Sequence, residues 1–263
     1  MFSARLILRS ATRLRVSLFS RQTILTAGLL TCTAIWTPTA AQAQSTSRGR
    51  YYPLDQATAP GVAGRWATVQ RGYQPIMQPV RVDLAGVEGQ VSFFTRDDVR
   101  GTPLPAPAIV GLQVGATYRL KISNLAGFPG VELYPTVEML DRLHPPRGRE
   151  IEFAVPITLT VDEITEALEG RLVTKVIYLE QPDRAAPLRN STADRTRLIS
   201  PRENVLAIAD EAGRPMVIVR LGERLPDAAA PEPGFYGTGA PIVFFEQPTP
   251  IQPPAPSLEA VQR

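Results

Sequence analysis

The stretch GVELYPTVEMLDRLHPP, residues 130–146, brings together several residue types that could do chemistry. It holds Glu132, Glu138, Asp141 and His144, and His144 is the only histidine in the chain. Two carboxylates at the right separation act as the acid and the base or nucleophile of a glycoside hydrolase. Carboxylates combined with an imidazole could instead hold a metal ion. Both hypotheses depend on how the chain positions these side chains.

Strand geometry separates the two glutamates. If residues 131–139 form a β-strand, one face carries Glu132, Tyr134, Thr136 and Glu138. The glutamates then lie about 20 Å apart, whereas a retaining pair needs about 5–5.5 Å and an inverting pair about 6.5–9.5 Å. They are not partners unless the chain folds back at Pro135, a residue that favours an edge strand or a bulge. We predict no catalytic residue here, and a solvated strand face whose four side chains are candidate ligand-binding residues.

His144 precedes Pro145 and Pro146, which favour an extended loop. A single histidine cannot form a histidine-rich metal cluster, and the chain has no G-x-S-x-G motif for a serine hydrolase. The chain also lacks the phosphate-binding glycine motifs of nucleotide-binding proteins. We therefore predict an exposed loop histidine, no metal site and no cofactor.

The segments around this stretch alternate apolar and polar residues, which is typical of antiparallel sheets with one buried face. They are PVRVDLA from Pro79, QVSFFT from Gln90, TYRLKIS from Thr117 and REIEFAV from Arg149.

The pattern of two later segments predicts a short helix, a glycine at the end of the helix and then a strand. The capping-box pairs are Thr160 with Glu163 and Ser200 with Glu203, the stops are Gly170 and Gly213, and the strands follow at 172–179 and 215–221. Both strands are apolar on two faces, so we place them centrally in a sheet. The predicted fold is mainly β (a β-rich α+β domain), an antiparallel sandwich or open barrel with two short helices and flexible, proline-rich ends.

The first 43 residues are typical of a secretory signal peptide. Five arginines precede an apolar run, Thr23–Trp36, and a small-x-small site ends at Ala43. The run has 14 residues, fewer than the roughly 20 that span a membrane. We predict export to the periplasm, cell envelope or extracellular space, with cleavage between Ala43 and Gln44. An uncleaved anchor, an organellar transit peptide and lipidation at Cys32 are the alternatives, and the first and third would attach the protein to a membrane.

The remaining boundaries follow composition. We predict a linker or lead-in at 44–72, a β-rich globular domain at 73–225 and a proline-rich, largely disordered tail at 226–263. Within the tail, the segment APIVFFEQ could add as an edge strand to a sheet of this molecule or another. The precursor has a net charge of +3, and removal of the five signal-peptide arginines leaves 23 basic and 25 acidic residues, or −2. That balance gives no reason to expect a nucleic-acid partner.

Three phrases carry a resemblance: YRLKISNLAGFPGVELYPTVEMLDRLHPP, ALEGRLVTKVIYLEQPDRAAP and LAIADEAGRPMVIVRLG. Together they resemble a family of exported proteins of planctomycete-type bacteria, over residues 73–223. The resemblance implies a single exported domain, and it implies no activity because none is established for that family.

The leading functional hypothesis is a non-enzymatic binding or structural module whose partner is an envelope protein or polysaccharide. One alternative is an envelope polysaccharide hydrolase with carboxylates from different strands, which requires two acidic side chains within about 10 Å in a cleft. A second is a carbohydrate or small-ligand binder that stacks its ligand on Tyr118, Tyr134 or Tyr178, which requires these rings to be exposed.

Overall fold

The computed structural model describes residues 3–9, 53–55, 58–71, 75–95, 98, 100–180, 195–200, 203–227, 229, 232, 234–237 and 239–246. The strands within these ranges are β1 Ser3–Arg9, β2 Met77–Asp83, β3 Gln90–Phe93, β4 Thr102–Pro105, β5 Ala108–Gln113, β6 Thr117–Ser123, β7 Thr136–Met139, β8 Val155–Thr158, β9 Val173–Glu180, β10 Arg195–Ile199, β11 Gly213–Leu221 and β12 Ile242–Phe244. The helices are α1 Val62–Arg71, α2 Val161–Leu168 and α3 Val205–Ala212.

The strands form two sheets that are mostly antiparallel. The larger sheet has the order β10-β1-β9-β11-β7-β6-β3-β4, and the smaller has the order β12-β5-β2-β8. Only the pairs β1–β10 and β2–β8 are parallel within the described part of the chain. The sheets do not close into a barrel, so the prediction of a β-rich, sandwich-like fold with short helices is confirmed.

The main core lies between the two sheets. Several strands contribute alternate side chains to it, such as Val80 and Val82 from β2, which lie in one buried cluster with Val137 and Met139 from β7. These four side chains are fully shielded from solvent. The period-two pattern of the sequence therefore marks the face of each strand that enters the core.

Strands β9 and β11 are buried on both faces. Ile177 and Val217 enter the core between the sheets, whereas Val176 and Ile218 pack on the opposite face in a second buried cluster with α3 and Leu54. Both strands have a hydrogen-bonded neighbour on each side. This confirms the prediction, made from their continuous apolar runs, that they lie centrally in a sheet.

The predicted capping box is confirmed for α2, whereas α3 begins further along the chain than its predicted capping box. Thr160 and Glu163 form a complete capping box at the start of α2, and Gly170 follows its end with a φ of +78°. By contrast, α3 begins only after Asn204, whose side chain accepts the Ala207 N–H. The Ser200 N–H still bonds to the Glu203 carboxylate, so that pair forms a turn before the helix rather than its cap.

Two strand predictions differ from the structure. The segment 151–153 is a 3₁₀ turn, and β8 begins only at Val155, so the alternation in REIEFAV did not indicate a strand over its whole length. Strand β7 is central, between β11 and β6, although Pro135 favoured an edge. Pro135 directly precedes β7, and there its missing N–H removes no ladder bond, while its carbonyl accepts the Leu120 N–H.

The segments that flank the predicted domain also contribute structure. Helix α1 lies in the predicted lead-in, and β12 lies in APIVFFEQ and pairs with β5 at a sheet edge, as predicted for this molecule. Strand β1 lies between β9 and β10, so cleavage after Ala43, which remains a prediction, would remove it. The predicted cleavage site and most of the predicted flexible ends fall outside the described residues. Among the described helices, none combines the length and apolarity needed to span a membrane.

Candidate anion-binding cleft

A cleft of about 910 Å³ opens beside the β5–β6 turn. One wall is the start of α1, from Pro60 to Val69, and the other is the C-terminal segment from Gly234 to Pro241. Strand β6 provides the floor through Thr117, Tyr118 and Arg119. The cleft therefore depends on both segments that flank the predicted globular domain.

Arg119 lies on the floor of this cleft with its charge partly removed from water. Its guanidinium stacks over the ring of Phe235, 4.3 Å from the ring centroid. Its Nε is buried and has no hydrogen-bond partner among the described residues. Burial, followed by repulsion from Arg224, lowers the pKa of Arg119 from its usual value. A guanidinium nevertheless stays protonated in proteins, so Arg119 presents a desolvated positive charge to the cleft.

A second cavity of about 300 Å³ adjoins the first and shares Pro60, Arg119 and Thr136 with it. Arg220 and Arg224 also line this smaller cavity, and Arg65 lines the larger one. Among the described residues, no aspartate or glutamate lines either cavity. Of these four arginines, Arg220 pairs with Glu138 and Arg224 with Glu232, so Arg65 and Arg119 are the lining cations that have no ion pair within the described residues.

The α1 wall is held by a buried ion pair. Glu138 in β7 is completely buried, and its carboxylate accepts hydrogen bonds from the Gly64 N–H at 2.5 Å and from Arg220 at 3.1 Å. Arg220 also donates to the Thr58 carbonyl at 3.2 Å. Gly64 lies in the first turn of α1, where backbone N–H groups lack helical acceptors, so the carboxylate caps the helix and complements its dipole.

Gly64 allows α1 to approach the sheet closely. A Cβ at this position would lie 3.2 Å from the Glu138 side chain and 3.2 Å from the Gly115 carbonyl oxygen. Glycine costs roughly 1 kcal/mol relative to alanine in a helix interior. Here that cost is offset by the short contact between helix and carboxylate.

The C-terminal wall is held by Tyr118. The Tyr118 hydroxyl accepts the Gln113 N–H at 2.7 Å and donates to the Pro241 carbonyl at 2.9 Å. Gly237 forms a β-bridge with the same tyrosine. Burial raises the pKa of Tyr118 from 10.0 to about 12, so the hydroxyl remains a donor through the neutral range. One buried side chain thus links the β5–β6 turn to the tail.

We expect Tyr118→Phe to lower the free energy of unfolding by about 1–3 kcal/mol at neutral pH, because the Gln113 N–H loses this acceptor. The neutral phenol also makes wild-type stability depend on alkaline pH. Tyr118 ionises near pH 10 in the unfolded chain and near pH 12 in the folded protein. The contribution of its neutral hydroxyl to the free energy of unfolding is therefore complete below pH 10. It is lost as the pH rises toward about 12, by up to about 1.4 kcal/mol per pH unit.

Urea unfolding at pH 7, 10 and 11 measures both effects. Tyr236→Phe is the control, because the Tyr236 hydroxyl makes no hydrogen bond within the described residues. A Tyr118→Phe variant with the same alkaline slope as the wild type would contradict the assignment of that slope to Tyr118.

The four predicted ligand-binding residues occupy different environments. Glu132 is exposed, accepts hydrogen bonds from Lys121 and Tyr134, and has a lowered pKa because of these two donors. Tyr134, Thr136 and Glu138 are buried, so the expected solvated face does not exist. Thr136 lines both cavities, Tyr134 lines the smaller one, and Glu138 lies beneath α1. The structure thus brings two of the four to the cleft.

The remaining predicted candidates are placed as follows. Tyr118, Tyr134 and Tyr178 are each less than a tenth exposed, which argues against a stacking surface built on these rings. His144 lies in an exposed loop, as predicted. In the ranges that the structure describes, no three His, Cys, Asp or Glu side chains are grouped to hold a metal ion.

A further cavity of about 470 Å³ opens between the sheets at the other end of β5. Its walls are mainly apolar, with Ile177 and Met216 among them, and Arg81 and Glu152 stand at its polar edge. Each of these two charges is already paired, Arg81 with Asp83 and Glu152 with Arg149. Both charges that line this cavity therefore have an ion-pair partner outside it, unlike Arg119 in the cleft.

Comparisons with protein family models, with characterised proteins and with solved structures yielded no match. The function is therefore inferred from the cleft and from the sequence. Sequence reasoning did not single out Arg119, because the alternation of TYRLKIS placed it on the wet face of a strand. No local sequence pattern indicates that α1 and the tail enclose this face.

Proposed function

We propose that the protein is an exported, non-enzymatic binding module whose cleft binds the carboxylate groups of an acidic polysaccharide. Export and a polysaccharide partner are the predictions made from the signal-like N-terminus and the composition. The choice of an acidic ligand follows from the charge of the cleft.

The observation that carries this proposal is the desolvated guanidinium of Arg119. A charge that is partly removed from water is costly unless it is compensated, and the buried Nε of Arg119 has no hydrogen-bond partner within the described part of the chain. A ligand anion in the cleft would compensate the charge of this partly desolvated guanidinium. The guanidinium also presents its donors in a planar fork that matches both oxygens of a carboxylate.

The hydrolase alternative is less well supported than binding. Glycoside hydrolysis needs two carboxyl groups on either side of the scissile bond. The described residues that line the two cavities include arginines and threonines but no aspartate or glutamate. Arginines complement a bound acidic sugar but do not replace an acid and base pair.

Arg119→Gln is expected to weaken binding of tetragalacturonate by roughly 10- to 100-fold, because a hydrogen bond to a charged group contributes about 1.5–3 kcal/mol. Isothermal titration calorimetry measures the affinity, with maltotetraose as the uncharged ligand. Arg149→Gln is the matched control, since it removes the same charge from an exposed site outside the cleft. Equal loss of affinity in both variants, or wild-type affinity in Arg119→Gln, would contradict the proposal.

A further inference from the structure

We infer that the ligand is a linear polymer of acidic sugars that runs through both cavities, with successive carboxylates at Arg65, Arg119 and Arg224. This inference rests on the proposed function and extends it from a single anionic group to a chain. It follows from the way in which the two cavities meet and from the state of each arginine.

The two cavities adjoin each other and are together called the track. They share Pro60, Arg119 and Thr136, so Arg119 stands at their junction. Cavities of about 300–1,000 Å³ accommodate drug-sized ligands, and a single sugar residue is smaller than these. The larger cavity alone measures about 910 Å³, and the smaller adds about 300 Å³ on the other side of Arg119. The track therefore has room for several sugar residues in line.

Each part of the track carries a positive charge. Arg65 lies on the α1 wall of the larger cavity and is exposed, and its Nε is held by the Gly61 carbonyl at 3.0 Å. That contact orients the side chain while its terminal nitrogens carry no hydrogen bond within the described ranges. Arg119 lies at the junction, and Arg224 lies in the smaller cavity. A polymer with one carboxylate per residue could meet a cation at intervals along this path.

Arg220 and Arg224 differ in their availability to a ligand. Arg220 is buried and bonded to Glu138 and to the Thr58 carbonyl, so it stabilises the fold. Arg224 is about two-thirds exposed and pairs with Glu232, which is similarly exposed. Ion pairs in contact with water are weak, so a ligand carboxylate can exchange with Glu232 at little cost. Arg224 is therefore the cation that a ligand extending from the larger cavity into the smaller one would meet.

A length series tests this arrangement with the full chain. We expect the affinity for galacturonate oligomers to rise at least tenfold from the monomer to the tetramer, because linked charges bind at high effective concentration. Arg224→Gln should lower the affinity for the tetramer about tenfold and change the affinity for the monomer much less. Arg81→Gln is the matched control, as an exposed arginine that also pairs with one acidic residue but lies outside the track.

The outcomes separate the inference from the proposed function. If the monomer binds as tightly as the tetramer, or if Arg224→Gln behaves like Arg81→Gln, the linear track is wrong while a single-residue acidic site remains. If no galacturonate of any length binds, the proposed function fails as well. A tetramer of glutamate that binds as tightly as tetragalacturonate would overturn the assignment to a sugar polymer in favour of an acidic peptide.

Discussion

Replacing Glu138 with alanine is expected to lower the free energy of unfolding by about 3–5 kcal/mol, the usual cost of removing one partner from a buried ion pair. The loss is large because Arg220 would remain buried with its charge uncompensated. The Gly64 N–H would also lose its acceptor, so α1 would detach from β7. Chemical unfolding measures the stability, and hydrogen exchange over residues 62–71 reports whether α1 detaches.

A matched control lies in the same segment. Glu132→Ala removes the same charge from an exposed ion pair with Lys121, and a pair of this kind contributes about 0–1 kcal/mol. Glu138→Gln keeps an acceptor for the Gly64 N–H without the charge, so it should protect α1 from exchange better than alanine does. Equal destabilisation by Glu138→Ala and Glu132→Ala would contradict the role assigned to Glu138.

The Glu138→Ala variant also tests whether the position of α1 affects ligand binding in the cleft. Helix α1 forms one wall of the cleft and carries Arg65. If Glu138→Ala releases the helix, the cleft loses that wall, and the affinity for an acidic oligosaccharide should fall although Glu138 lines neither cavity. The ion pair beneath α1 therefore acts on binding through the position of the helix.

Replacing Lys175 with methionine should destabilise the protein by about 3–5 kcal/mol. Lys175 in β9 is buried, donates to the Thr158 carbonyl, and lies 2.7 Å from the carboxylate of Glu163, which is also buried. The same carboxylate accepts the Thr160 N–H as part of the capping box of α2. Methionine preserves much of the side-chain volume but leaves the negative charge of Glu163 without its cation.

A double variant separates charge from packing. Lys175→Met combined with Glu163→Gln removes both charges and keeps an amide oxygen for the Thr160 N–H. It should recover most of the lost stability, because well-packed neutral replacements of buried pairs are often tolerated. Lys121→Met is the exposed control and should cost less than about 1 kcal/mol. If the double variant is as unstable as Lys175→Met alone, packing rather than the unpaired charge determines the loss.

Local patterns predicted the core strands because burial on one face of a sheet imposes a period of two. Alternation identified β2, β3 and β6, and continuous apolar runs placed β9 and β11 at the centre of a sheet. The capping box of α2 was predictable for a related reason, since Thr160 and Glu163 lie three residues apart and bond to each other's backbone. These features depend on neighbours within a few residues.

Helix α1 was missed because its sequence gives a weak helix signal. It contains Gly64, has no acidic residue in its first turn, and follows a polar, glycine-punctuated stretch. Its stability comes from the buried side chains of Ala63 and Ala67 and from the Glu138 carboxylate, which lies 74 residues further along the chain. Tertiary packing supplies most of the stability of such helices, so local sequence cannot reveal them.

The sequence by itself determined the β-rich class, the central strands, the cap of α2 and the exposed loop position of His144. Only the tertiary structure decided which charges are buried and which face the cleft. Glu138 and Lys175 are typical surface residue types, yet both are buried: Glu138 meets Arg220, 82 residues further along the chain, and Lys175 meets Glu163 in the preceding helix α2. The stretch around Glu138 supports the α1 wall, while Arg119, on the neighbouring strand, faces the cleft. Burial and pairing arise from contacts between separate segments of the chain, and a linear pattern does not contain them.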